Sequence, residues 1–201
     1  MVAGYRNPYL AAKAAASLDV LSGGRFTLGT AAGYLESEFD ALGADFGRRG
    51  RLMDEAIEAW KRTWAGEEHL GGEFGVADHL ALPLPSTPGG PPVWIGGNGA
   101  AARRRVVEVA DGWIPMAASG EFAEITRARA LERIDVLANW IADVNTARAD
   151  RGREAADVAF MPFEADLLAK GCDVFCSAVQ PKLEAYGAAG VTWITLEPAS
   201  R

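Results

Sequence analysis

Residues 91–99, Pro91-Pro92-Val93-Trp94-Ile95-Gly96-Gly97-Asn98-Gly99, form a short apolar run that breaks into glycines and leads into a helix predicted over Ala100–Ala110. A buried strand ending in small residues, with Asn98 as the helix N-cap, presents backbone N–H groups at the positive end of a helix dipole. The chemistry this supports is the holding of a phosphate, with Ile95, Gly96, Gly97 and Asn98 as the contacting residues. The same glycines also suit close packing of strand on helix, and both readings stand at this stage. A second run of the same grammar is Gly23-Gly24-Arg25-Phe26-Thr27-Leu28-Gly29-Thr30-Ala31-Ala32-Gly33. Here Thr30, Ala31, Ala32 and Gly33 either leave room for a flat ring at a strand end or make a tight strand-to-helix turn. Tyr34 follows directly and can donate a hydrogen bond or line a pocket. A phenol is a poor general base at neutral pH unless its pKa is moved.

The remaining reactive side chains are few. Cys172 and Cys176 lie four apart, and with no histidine or second cysteine pair near them they read as two reduced thiols rather than half a metal site. His69 and His79 flank a glycine-rich stretch and are predicted to sit in a loop. No metal site is expected. Asp111 and Trp113 open a short run, Asp111-Gly112-Trp113-Ile114-Pro115-Met116. There Asp111 serves either a ligand or the cap of a helix-to-strand turn, and Trp113 either a pocket or the core. Glu38 and Glu55 with Arg48 and Arg51 are expected to form surface or packing ion pairs.

These residues need elements to position them. Strands are predicted at Thr27 and Leu28 with the small residues that follow, at Val93–Gly97, at Asp111–Pro115, at Val158–Phe163 and at Val191–Leu196. Between them lie helical patterns. Pro8–Leu21 is alanine-rich, with an apolar face predicted through Leu10, Ala14, Leu18 and Leu21, and Ser22-Gly23-Gly24 ends it. From about Arg48 to Trp64, Leu52, Ala56, Trp60 and Trp64 repeat at four-residue steps, a core stripe. Phe122 to about Ala149 is two helices or one bent helix, and Pro181–Ala189 is a final helix. Gly66–Pro92 carries two Gly-Gly pairs and a run of prolines, so an irregular excursion is predicted there, at about 66–92. Strands recurring with helices between them specify βα units on a parallel sheet, whose ligand sites lie at the carboxyl ends of the strands.

Composition narrows the class. With 201 residues, 49% apolar and 23% charged, the chain is expected to be a single globular domain over 1–201. A net charge of −7, with no basic run longer than Arg103-Arg104-Arg105, argues against nucleic acid as a partner. No stretch is long and apolar enough for a membrane span, and Met1–Arg6 lacks the plan of a signal peptide, so a cytoplasmic location is expected.

Several motifs occur in a fixed order. They are Arg6-Asn7-Pro8 with Ala12-Lys13, Ser17–Phe26, Leu28-Gly29 with Ala31, Gly33-Tyr34-Leu35 and Glu38-Phe39, then Arg48, Arg51 and Glu55, then Pro92 with Trp94-Ile95-Gly96-Gly97-Asn98, then Ala110-Asp111-Gly112-Trp113. Together they resemble the bacterial luciferase-like monooxygenase family, and within it the actinobacterial oxidoreductases that use the deazaflavin coenzyme F-420. The resemblance implies an α/β fold, a (β/α)8 TIM-type barrel with a deazaflavin or flavin ring across its carboxyl mouth. Matched to that barrel, the five predicted strands resemble the fourth to the eighth, so an amino-terminally truncated, partial barrel of about five parallel strands is expected.

The resemblance also sets functional expectations. The implied activity is two-electron, hydride transfer between coenzyme F-420 and a small organic substrate, with Thr30, Ala31, Ala32, Gly33, Ile95, Gly96, Gly97, Asn98 and Asp111 as cofactor-binding residues. Alternatives are an FMN-dependent monooxygenase and a non-catalytic, vestigial flavin-binding barrel. Tyr34 stands where sugar-phosphate-oxidising relatives carry a glutamate; the position makes it the catalytic candidate that the resemblance implies, and the change of residue argues against that substrate class. The histidine that family members place near the second strand, and the strained backbone at the third, have no counterpart here. A homodimer or self-association through bare strand edges is expected, the edges being those of Gly24–Gly33 and Val191–Leu196, beside Leu28, Val191, Ile194 and Leu196.

Overall fold

The computed structural model describes residues 1–67 and 82–196. His69 and His79, and much of the predicted excursion, lie outside the described residues. Five strands, β1 (Leu28–Thr30), β2 (Val93–Gly96), β3 (Gly112–Ile114), β4 (Asp157–Phe160) and β5 (Trp193–Ile194), form one parallel sheet in sequence order. The chain divides into two compact units, Met1–Trp94 and Ile95–Arg201.

In the first unit, α1 (Pro8–Ser22) begins where its sequence says it should. Asn7 accepts a hydrogen bond from the Tyr9 N–H at 3.0 Å, and proline occupies the first turn, where its missing N–H costs nothing. Gly23, at φ +64°, ends the helix in the left-handed conformation that glycine adopts freely.

The buried face of α1 corrects the predicted one. Leu10, Ala14, Leu18 and Leu21 point outward, Leu21 being 83% exposed, while Ala11, Ala12, Ala15, Ala16 and Asp19 face inward against α3 (Arg49–Trp64). The cause is distance rather than hydrophobicity. The Trp64 indole N–H donates to the Ala12 carbonyl at 3.0 Å, an approach to the helix backbone that alanine permits and leucine obstructs. Asp19 is fully buried, and its carboxylate accepts from the Thr87 N–H at 2.8 Å and the Thr87 hydroxyl at 2.9 Å, satisfying its charge. In α3 the predicted stripe is the buried one, with Met53 and Ile57 added to Leu52, Ala56, Trp60 and Trp64.

A second correction concerns the edge of β1. The first three residues run parallel to it: Val2 bridges Ala31, the Ala3 N–H donates to the Ala31 carbonyl, and the Ala31 N–H donates to the Met1 carbonyl, both at 3.0 Å. The amino-terminal ammonium donates to the Gly29 carbonyl at 2.8 Å. Leu28, expected beside a bare edge, is buried.

The second unit contains α4 (Ala100–Glu108), α5 (Gly120–Ile125), α6 (Ile134–Ala149), α7 (Cys172–Val179) and α8 (Leu183–Ala188), so the predicted 122–149 region is two helices. The register sets Gly112 opposite Asp157 and Trp113 opposite Val158, then Ala159 opposite Trp193 and Phe160 opposite Ile194. Its core holds Ile95, Val106, Trp113, Leu137, Val158, Phe160 and Tyr186. Val191 is buried, whereas Trp193, Ile194 and Leu196 are exposed. Among the described residues no helix is long and apolar enough to cross a membrane.

Candidate active site

At the carboxyl end of β2 the chain passes through Gly97 at φ +116°, a conformation that side-chain-bearing residues rarely adopt. The Gly97 N–H donates to the Ile114 carbonyl at 3.1 Å, and its carbonyl accepts from the Trp113 indole at 2.9 Å. Trp113 is therefore a core residue that also fixes this turn.

Asn98 does not cap α4. It is 1% exposed, and its amide donates to the Met116 carbonyl at 2.7 Å and the Arg129 carbonyl at 2.8 Å while accepting from the Met116 N–H at 2.9 Å. These three bonds stitch the turn to the segments after β3 and α5 and leave nothing for the helix. The N-cap is Gly99, with φ −70° and ψ 163° and no side-chain bond to α4. Asn98 thus holds the turn in shape from behind, and the first N–H groups of α4 are left without a side-chain acceptor beside exposed Ala100 and Ala101. Gly96 and Gly97 are half-buried and Ile95 is fully buried behind them.

The arginine run that follows divides three ways. Arg104 pairs with Glu108 at 2.6 Å, Arg105 is buried, and the Arg103 guanidinium lies 4.9 Å from the ring centroid of Trp140. Arg129 lies over the same ring at 4.8 Å. Asp111 is elsewhere. It precedes β3, so it marks the amino end of that strand, where its carbonyl accepts from the Asp157 N–H at 3.2 Å and its carboxylate faces Arg153 at 4.0 Å. The structure does not bring Asp111 to the Gly97–Gly99 turn.

In the first unit, Thr30 is buried and its hydroxyl has no hydrogen-bond partner among the described residues; Ala31, Ala32 and Gly33 are half-buried. A Cβ on Gly33 would meet Val2 at 2.8 Å and Phe39 at 2.9 Å, so this glycine serves close packing. Tyr34 is exposed, and near it Tyr5 donates a short hydrogen bond to Glu38. Burial, the hydrogen bond and the Glu38 charge push the Tyr5 phenol up to about 12. Arg51 and Glu55 form the predicted ion pair at 2.8 Å.

A second cluster lies beyond the carboxyl end of β4, around a cavity of about 460 Å³ lined by Arg133, Asp135, Phe163, Glu164, Lys182 and Tyr186 among others. Glu164 accepts from Lys182 and, at 2.9 Å, from the Tyr186 hydroxyl, whose oxygen accepts from the Phe163 N–H at 3.1 Å. Burial raises the Glu164 carboxyl, but the hydrogen bonds from Lys182 and Tyr186, a backbone hydrogen bond and the Lys182 charge together hold the group below its ordinary range. Burial, with the Glu164 contact, pushes Tyr186 up to about 12.

A raised phenol pKa favours the folded state while the group is neutral, so this contribution is complete below the ordinary value near 10 and fades as pH rises through about 12. Alkaline titration followed by phenolate absorbance is expected to show ionisation delayed to about pH 12, and Tyr186→Phe is expected to remove one late-ionising group. A normal titration in the folded protein would show that Glu164 does not hold the phenol. Cys172 and Cys176 are free and exposed on α7, and among the described residues no three metal-binding side chains cluster.

The sequence pattern of the luciferase-like monooxygenases matches residues 1–165. The chain belongs to that family. An uncharacterized protein of Mycobacterium tuberculosis is 34% identical over 111 residues, 54% of this chain and 38% of the relative. The FMNH(2)-dependent dimethylsulfone monooxygenase of Pseudomonas putida is 31% identical over 110 residues, 52% of this chain and 30% of that one. A monooxygenase from Streptomyces bottropensis has the same fold, with a TM-score of 0.64 at 17% identity over 94% of this chain and 59% of its own. So does the coenzyme F-420-dependent tetrahydromethanopterin reductase of Methanopyrus kandleri, at 0.60 and 17% over 94% and 64%. The five parallel strands match part of these luciferase-like barrels. The chain spans about a third of the length of the curated relatives it matches.

Sequence reasoning did not single out the Arg103, Arg129 and Trp140 cluster or the Glu164–Tyr186 pair of the second unit, nor the Tyr5–Glu38 hydrogen bond of the first. Arg103 was visible only as part of a basic triplet. Arg129 sits in a connection without periodicity, where nothing local marks it.

Proposed function

We propose that this luciferase-like chain is an oxidoreductase that seats the phosphate of a tricyclic redox cofactor on the β2–α4 turn. The reaction is two-electron transfer involving a small organic substrate. The observation that carries this reading is the amino end of α4: N–H groups without a side-chain cap, open space at Gly99, and Asn98 spent on shaping the turn. That donor set fits a phosphate. Coenzyme F-420 is the first cofactor reading, from the motif resemblance; FMN is the second, favoured by the FMNH(2)-dependent relative. Either ring would supply the hydride or electron chemistry when bound. The residues here bind and orient: Gly97 lets the backbone turn, Asn98 holds it against the segment after β3, and Trp113 packs behind it.

The deciding experiment compares FMN with riboflavin, which shares the ring and lacks the phosphate. Binding to the intact chain, followed by flavin fluorescence, is expected to favour FMN by about tenfold or more, roughly 1.4 kcal/mol. Equal affinities would remove the phosphate from this turn.

We also propose self-association through β5. It ends the sheet order and carries exposed Trp193 and Ile194, with exposed Leu196 beyond it, and an apolar end strand recruits further chains. Light scattering is expected to give a mass above the monomer that Ile194→Lys lowers. A wild-type monomer at tens of micromolar would contradict this.

A further inference from the structure

Arg103 and Arg129 hold their guanidinium carbons 4.9 Å and 4.8 Å from the centroid of one ring, Trp140 of α6. Two like charges collected on one indole repel each other, and each is attracted by the ring face. Other arginines of this unit have acceptors of their own, Arg104 and Arg133 the carboxylates of Glu108 and Asp135 and Arg148 three backbone carbonyls. Among the described residues neither Arg103 nor Arg129 has a carboxylate at ion-pair distance. Asp143 attracts Arg103 only from farther away, and the Arg103 Nε is buried without an acceptor. Burial first, then Arg129, lower the Arg103 pKa, as expected of cations gathered without a counter-charge. A guanidinium has five N–H donors in a fork that matches the oxygens of phosphate and carboxylate. The Trp140 ring attracts both cations and supplies no acceptor for their N–H groups.

Their position gives the pair a partner. Arg103 is in the first turn of α4, and the Arg129 carbonyl accepts from Asn98 at 2.8 Å. Through their backbones, the Arg103 N–H on the Gly99 carbonyl and the Arg129 carbonyl on Asn98, both arginines adjoin the turn at which an anion has already been proposed. We infer that Arg103 and Arg129, gathered over Trp140, form a clamp for an oxyanion, a phosphate or a carboxylate, carried by a ligand seated beside the β2–α4 turn. The clamp rests on the cofactor reading only for the source of that oxyanion; as an anion site it stands on its own geometry.

The test is calorimetric titration of the full chain with inorganic pyrophosphate, at two salt concentrations. The Arg129 side chain is exposed and only its carbonyl holds Asn98, so Arg129→Gln is expected to fold as the wild type. It should bind pyrophosphate at least about tenfold more weakly, with a shallower salt dependence. Arg103→Gln should do the same, checked for an unchanged urea midpoint, and Arg129→Lys should keep part of the affinity because it keeps the charge and loses the fork. FMN titrated into the same variants identifies the source. A parallel loss of FMN affinity means that the clamp takes the cofactor's phosphate; a loss confined to pyrophosphate means a separate anion. Wild-type and Arg129→Gln affinities for pyrophosphate within twofold of each other, or no binding by the wild type, would overturn the clamp. The cofactor reading fails on a different result, equal binding of FMN and riboflavin, which leaves the pyrophosphate comparison untouched.

Discussion

Arg148→Met is expected to destabilise the second unit by about 1–3 kcal/mol, chiefly the cost of leaving the buried Val106 carbonyl without a donor, the part-buried Glu154 carbonyl being able to turn to water. Arg148 is 4% exposed and touches no carboxylate closely. Its guanidinium donates to the Glu154 carbonyl at 2.6 Å, the Ala110 carbonyl at 2.7 Å and the Val106 carbonyl near the end of α4. A cation at a helix carboxyl end is favourable, and here it also ties α4, α6 and the start of the β4 segment together. Arg153 still reaches the Ala110 carbonyl at 2.6 Å, so only the Glu154 and Val106 carbonyls lose their donor. Against a typical total of about 5–15 kcal/mol the loss is large. By contrast, removing the exposed Arg104–Glu108 pair is expected to cost less than about 1 kcal/mol. Urea unfolding followed by tryptophan fluorescence measures both. If Arg148→Met shifts stability by less than Glu108→Ala does, the buried guanidinium is not what holds these elements together.

The parts of this fold legible in the sequence are those decided by neighbours along the chain. Asn7 and Pro8 start α1 and Gly23 ends it, because caps and left-handed turns involve residues only a few apart. The tryptophan stripe of α3 is legible because a wide apolar face has one place to go. What escaped depends on distant partners. The inward face of α1 is its alanines because Trp64 approaches the Ala12 carbonyl, a demand for small size that no hydrophobicity ranking contains. Asn98 reads as an N-cap on local preference, yet Met116 and Arg129, 18 and 31 residues away, present it with three hydrogen bonds. The proposed site shares this pattern: its glycines are visible in the sequence, and the two arginines proposed as its clamp, which meet at Trp140, are not.

The largest effect on ligand binding is expected from Gly99→Asp, roughly a hundredfold loss of FMN affinity in a protein at least as stable as the wild type. Gly97 cannot give so clean a result, since at φ +116° any side chain strains the turn whatever binds there. Gly99 has φ −70° and ψ 163°, which any residue adopts, and a Cβ there meets nothing within 4 Å. Aspartate at an N-cap accepts from the first helical N–H groups, a gain of a few tenths of a kcal/mol over glycine. The same carboxylate takes the donors a phosphate needs and sets a negative charge in its place. Two charges about 4 Å apart near a protein surface repel by about 4 kcal/mol before salt screening, and a hundredfold loss requires about 2.8. Gly99→Asn separates the two effects, because it fills the cap without the charge and is expected to lose less. Riboflavin, having no phosphate, is expected to bind Gly99→Asp as it binds the wild type. The measurements are flavin fluorescence titration and the urea midpoint. A stable Gly99→Asp protein with wild-type FMN affinity would mean that the open amino end of α4 is not where the phosphate sits.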